Sequence, residues 1–177
     1  MFILNYITIM AAVICTSLTI IDFNKNSSLV GWRVVNDVVM GGRSNSSISI
    51  DIDGNAVFKG EVSLENNGGF SSLRHRFEKI NVSKFKIIKI RLKGDGKKYQ
   101  FRVKPSMFNQ YSYINIFETT SEWQTIEIKL ADLTPTFRGR KLDMPNFSGT
   151  ELEELGFLIG NKKNEEFQLI IDSIILE

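Results

Sequence analysis

The chain has 177 residues, 42% of them hydrophobic and 24% charged, and a formal net charge of +2. That composition suits one globular domain with its own core, and the charge is too small to argue for nucleic acid or an anionic membrane surface as a partner. A single cysteine, Cys15, and a single histidine, His75, exclude an internal disulfide and leave no Cys or His cluster for zinc.

From Phe2 to Ile21 there is no charged side chain, and Ile7 to Leu18 is mostly apolar or small, as in the apolar region of a secretory signal peptide. The basic segment that normally precedes such a region is missing. Cys15 and Ser17 would serve as the small residues before a cut near Leu18. The expectation is a signal peptide or hydrophobic leader over 1–17, a domain over 18–177, and an exported protein, periplasmic or membrane-associated, with no stable span in the mature domain. The alternatives are a retained anchor and a cytoplasmic protein whose true start is later, at Met10.

A first strand is expected at Thr19-Ile20-Ile21-Asp22-Phe23. Gly31 to Ser44 follows, with Trp32, the Asn36-Asp37 pair, Met40 beside Gly41-Gly42, and Arg43-Ser44. Glycines admit positive φ or close approach, Asn and Asp fix turns by bonding nearby amides, and the Trp would anchor the loop on the core. Such a stretch is either a structured loop held by its own hydrogen bonds or a binding loop.

From Ser46 onward the pattern is almost all strand. Ile48, Ile50 and Ile52 alternate with polar residues up to the Asp53-Gly54 turn, and Phe58, Gly60, Val62 and Leu64 keep the period of two. Ile88, Ile90 and Leu92, and Ile126, Ile128 and Leu130, do the same, as antiparallel strands with one wet face do. Gly94-Asp95-Gly96 reads as a hairpin turn between 85–93 and 98–104, with calcium ligation by Asp95 a lesser alternative. Short helical turns are expected at Ala131-Asp132-Leu133 and at Thr150 to Glu154, where Thr150 could cap with Glu153. Pro135 to Pro145 reads as one long connection. Leu155 to Ile159 and Phe167 to Leu176 read as buried strands. About ten short strands with Gly, Asn and Asp turns give an all-β sandwich.

Trp32, Asn36 to Ser44, Phe58 and Gly60, Asn66 to Phe70 with Arg74, Gly94 to Gly96 with Tyr99, and Trp123 stand in the order of the CIA30 family pattern, and the chain resembles that family from about residue 20 onward. One position departs: Val38 stands where the family has glycine. The resemblance implies a galactose-binding-domain-like jelly roll and a protein-interaction or assembly-factor role of the kind that helps build respiratory complex I.

Alternation also sorts the candidate surface. Leu73, His75 and Phe77 share one face and Ser72, Arg74 and Arg76 the other; Gln100, Arg102 and Lys104 point out if Tyr99, Phe101 and Val103 point in; Tyr111, Tyr113, Asn115 and Phe117 oppose Ser112, Ile114 and Ile116. If Arg74, Arg102, Tyr113, Asn115 and Glu127 fall on one concave face, they form a groove with planar donors, stacking rings and a carboxylate. The candidate partner- or ligand-binding set is therefore Trp32, Asn36, Asp37, Met40, Arg43, Ser44, Asn66, Asn67, Phe70, Arg74, Arg102, Tyr113, Asn115, Glu127 and Arg138. No catalytic residue, metal or cofactor is expected. A Ser or Cys nucleophile has no base beside it, and no spacing pairs Asp37, Asp95, Glu118 and Glu127 as a glycosidase would require. Two readings remain: a domain that holds a protein, including subunits of a membrane complex, or the carbohydrate-binding module of an exported protein.

Overall fold

A computed structural model describes residues 17–177; the expected leader, apart from Ser17, lies outside the described residues. Period-two alternation becomes thirteen strands: β1 (Leu18–Asp22), β2 (Trp32–Asn36), β3 (Asn45–Ile50), β4 (Ala56–Val62), β5 (Ser71–Asn81), β6 (Ile87–Lys93), β7 (Lys98–Lys104), β8 (Ser112–Glu118), β9 (Trp123–Lys129), β10 (Thr134–Phe137), β11 (Arg140–Lys141), β12 (Glu151–Ile159) and β13 (Glu165–Leu176). Helix among the described residues is confined to 3-10 turns at Asp37–Met40, Glu65–Asn67 and Leu130–Asp132, and none is long and apolar enough to cross a membrane.

The strands pair antiparallel in two sheets, a jelly-roll sandwich of the galactose-binding-domain-like kind. One has six strands in the order β3-β4-β13-β6-β9 with β1 also on β13; the other has seven, β11-β10-β8-β7-β12-β5-β2. Between them pack the inward-facing residues of each alternation, among them Phe58, Leu92, Tyr99, Phe101, Phe157, Leu169 and Ile174. Burying two apolar sheet faces against each other is the main source of stability in such a fold.

Three expectations are corrected. Gly94-Asp95-Gly96 does not close a hairpin: β6 pairs with β9 and β13, whereas β7 pairs with β8 and β12, so this turn carries the chain from one sheet to the other. Thr150 to Glu154 is not helical, because Glu151–Ile159 is taken up between β5 and β7, and sheet pairing on both sides overrides a local capping signature. The 135–145 connection contains a small edge hairpin, β10 with β11. The turn at Leu130–Asp132 agrees with the expected one to within a residue. Val38 sits in the 3-10 turn without positive φ, and it is Gly41 that takes φ 85° there.

Candidate functional site

The Gly31 to Ser44 stretch is a knot tied on Asp37. Its carboxylate is 1% exposed. Oδ2 accepts from the Ser44 hydroxyl at 2.6 Å, the Gly69 amide at 2.6 Å and the Phe70 amide at 3.2 Å, while Oδ1 accepts from the Ser44 amide at 3.1 Å. Burial alone would raise the Asp37 pKa, but these bonds from Ser44, Gly69 and Phe70 outweigh it and hold the carboxyl below its ordinary value. Two glycines make the space: a Cβ at Gly42 or Gly68 would collide with the carboxylate. The Ser44 hydroxyl also accepts from the Ser63 amide at 3.0 Å, so the knot joins the end of β2 to the loops on either side of the Glu65–Asn67 turn.

Beside it, the Ser46 and Ser71 hydroxyls each lie 2.8 Å from Asn36 Oδ1 and 2.6 Å from one another. With one proton apiece they share three contacts, linking β3 of one sheet to β2 and β5 of the other. Trp32 faces inward and stacks on His75 at 4.5 Å. Asp37 and Ser44 therefore lie beneath the loop rim and hold it. Exposed on the rim are Asn66 and Asn67, with φ of 54° and 60°, and Arg43, paired with Glu65 at 2.8 Å. Phe70 is half-buried. The side chain of Met40 lies outside what the structure describes.

Asp95 is likewise tied within the protein: Oδ1 accepts from the Tyr99 hydroxyl at 3.1 Å, and Oδ2 from Lys97 Nζ at 2.8 Å and the Gln168 amide at 2.9 Å. Burial first, and then the Asp95 carboxylate, push the Tyr99 hydroxyl far above its ordinary pKa.

The outward face of the seven-stranded sheet differs in kind. Register places Ile114, Arg102, Gly156, Arg74 and Arg33 side by side across β8, β7, β12, β5 and β2. The adjacent row holds Lys104, Glu154 and Arg76, and the row on the other side Ile116, Gln100, Leu158, Ser72 and Val35. Glu154 is spent on its own row, with Oε2 2.8 Å from Arg76 Nε and Oε1 3.9 Å from Lys104 Nζ. Arg102 donates to Gln100 at 3.2 Å; Arg74 makes no side-chain hydrogen bond or ion pair among the described residues. Burial lowers the pKa of Arg74, with Glu154 opposing and Arg33 and Arg76 adding to the fall. Burial and then Arg74 push Arg102 down to about 10, again against Glu154. Both remain charged at neutral pH.

Of the five residues expected to share one groove, Arg74 and Arg102 come together and three do not. Tyr113 and Asn115 are on the inward-facing side of β8, where Tyr113 packs edge-on against Phe147 at 5.2 Å. Glu127 belongs to β9 in the other sheet, 3.4 Å from Lys89. The alternation gives each strand its two faces, but not which sheet the strand joins. Arg138 is at the tip of the β10–β11 hairpin, its guanidinium 5.3 Å from the Phe137 ring. Arg33, Glu154 and Gly156 belong to the basic face without having been candidates. Arg33 alternates with Trp32 and Val34 and was legible; Glu154 was hidden by the helical reading of its segment.

A hollow of about 590 Å³ also opens on the six-stranded sheet near Asp95, lined by Lys59, Glu61, Lys97, Glu166 and Gln168, with acids and lysines mixed. Among the described residues no three or more His, Cys, Asp or Glu side chains gather as a metal site.

Comparison with solved structures supports the fold. The family 11 carbohydrate-binding module from Clostridium thermocellum, in complex with a β-1,3-1,4-mixed-linked tetrasaccharide, superposes with a TM-score of 0.67 at 16% identity, over 90% of this chain and 94% of that one. The family 11 module of the cellulosomal cellulase Lic26A-Cel5E of the same organism gives 0.66 at 15% identity, over 91% and 94%. An exo-β-agarase gives 0.55 at 13% identity, over 90% of this chain and 25% of that one. A comparison with curated protein sequences gives no match. The family model described as Complex I intermediate-associated protein 30 (CIA30) matches residues 21–171, and the chain belongs to that family.

Proposed function

We propose that this chain is a non-enzymatic binding domain that holds a protein partner, in the manner of an assembly factor, against the outward face of the seven-stranded sheet and the loop rim beside it. The observation that carries this reading is the Arg102-Gly156-Arg74-Arg33 row, a built surface whose donors exceed its acceptors and which runs from β7 to the β2 edge of the sheet. Arg, with Trp and Tyr, is enriched among the residues that supply most of the binding energy at protein interfaces. Ile116 at 60% exposure, on the same face, and Phe108 at 87%, in the loop after β7, offer apolar anchors near it. Family membership supports the assembly role, and a subunit of a membrane complex fits as the partner. The uncharged stretch from Phe2 to Ile21 favours an exported or membrane-associated location. The lone histidine favours binding over catalysis, since it is stacked on Trp32 and lies tilted beside Phe77.

A carbohydrate-binding module is the second reading, favoured by the likeness to the family 11 modules over nearly the whole chain. Against it, the aromatic residues of the seven strands, from Trp32 and Phe77 through Tyr99, Phe101, Tyr113 and Phe117 to Phe137 and Phe157, all stand on the inward alternation. The strands themselves therefore offer no outward ring on which a sugar could stack, the exposed Phe108 lying in the loop after β7.

The test is in-cell photo-cross-linking from a photoreactive residue at Ile116, with Ser49 on the outer face of the six-stranded sheet as control. A defined protein adduct from position 116 and none from position 49 is expected. Equal adducts from both, or none from 116, would overturn the reading.

A further inference from the structure

We infer that the outward face of the seven-stranded sheet is an oxyanion receptor, and that its ligand presents a carboxylate between Arg74 and Arg102 above Gly156. This rests on the reading of that face as the binding surface and names the chemistry that it takes. Three observations support it independently.

The first is an imbalance of charge. Arg33, Arg74, Arg76, Arg102 and Lys104 stand around one acid, Glu154, which is already engaged by Arg76 and Lys104. Arg74 and Arg102 flank Gly156 across β12. Two partly dehydrated guanidinium groups one strand apart repel each other, an arrangement that an anion between them would relieve by offering both forks an acceptor.

Second, the floor between them is kept open. A Cβ at Gly156 would collide with the Leu73 carbonyl, so no side chain can rise there. What remains is a depression of only about 10 Å³, lined by Ser72, Arg74, Arg102, Lys104 and Glu154 among others. That is room for about one oxygen, and not for a sugar ring.

Third, Ser72 Oγ borders the depression, is buried at 1% exposure, and has no hydrogen-bond partner among the described residues. A buried hydroxyl left without a partner is uncommon and costs about 1–3 kcal/mol. Facing two arginines, it is placed to donate to the same oxyanion.

On the reading of this face as a protein-binding surface the carboxylate belongs to an acidic segment of a protein, and the experiment sets that source against a uronic acid. The full-length protein is titrated by calorimetry with hexaglutamate, with trigalacturonate and with the neutral mixed-linked β-glucan tetrasaccharide. Binding of a carboxylate probe is expected, weakened at least about tenfold by Arg102→Gln and weakened again by high salt, with the neutral tetrasaccharide weaker than either. Preference for hexaglutamate is expected, and preference for trigalacturonate would overturn the protein source. Arg102→Gln is expected to melt no lower than the wild type, because it removes one of two like charges. If it fails to fold, the exposed Arg33→Gln serves instead, with a loss of about threefold. The inference is overturned if neither carboxylate probe binds, if the neutral tetrasaccharide binds as well as they do, or if the variants leave binding unchanged. An Ile116 protein adduct without carboxylate binding sinks this inference alone; carboxylate binding without the adduct sinks the protein-partner reading alone.

Discussion

The Asp37 knot at the end of β2 and the Arg74–Arg102 pair within β5 and β7 are both partly withdrawn from water, and they are opposites in how their hydrogen-bonding capacity is used. Around Asp37 four donors converge on one carboxylate and hold it ionised. Around Gly156 two guanidinium groups carry more donors than the protein supplies acceptors for, and a buried hydroxyl stands idle beside them. A polar cluster that closes on itself stabilises the fold; one that stays open marks a surface awaiting a ligand. Residue type alone does not separate the two.

That contrast is open to direct attack, most strongly at the knot. Asp37→Ala leaves four donors without their acceptor and should lower stability by about 3 kcal/mol, read from urea denaturation. Gly42→Ala pushes a methyl against the same carboxylate and should cost about 2 kcal/mol by the same measurement. The knot should also be visible in the pH profile. Asp37 is held below 3.8, so its contribution is complete above that value and fades as pH falls through its lower folded pKa. Burial holds His75 below 6.5, with the neighbouring Gly31 backbone opposing the fall. The unfolded chain therefore takes up that proton first, and stability already declines as pH drops below 6.5. Melting temperatures across the acid range should show both steps, and His75→Phe should remove the upper one. Arg43→Ala breaks only the exposed pair with Glu65 and should change stability by less than about 0.5 kcal/mol; a larger loss would mean that the rim itself stiffens the knot.

Much of this was legible in the chain because strand faces follow from a period of two. Leu73, His75 and Phe77 against Ser72, Arg74 and Arg76 needed no structure, and neither did Tyr99, Phe101 and Val103 against Gln100, Arg102 and Lys104. Partnership between strands was not legible. A Gly-Asp-Gly turn looks the same whether the next strand folds back beside the last or crosses to the opposite sheet, and here Asp95 bonds to Tyr99 in one sheet and to the Gln168 amide in the other. The same gap put Glu127 in the other sheet, whereas Tyr113 and Asn115 share the arginines' sheet and missed them because their alternation on β8 faces inward. The motif from Asn36 to Ser44 was plainly special, yet its residue types fit a knot as well as a binding loop until hydrogen-bond partners decided it.

Strand β13 takes its place last. It pairs along its length with β4, β1 and β6, so the six-stranded sheet has no centre until residue 176 has been made. During synthesis the apolar faces of β4 and β6 wait without their common neighbour for more than 70 residues of later chain. Contacts this distant in sequence make for slow folding, with sticky edges exposed meanwhile. The unfinished domain thus exposes the kind of edge that chaperones cover, and a chain truncated before Glu165 would lack the strand that joins β4 to β6.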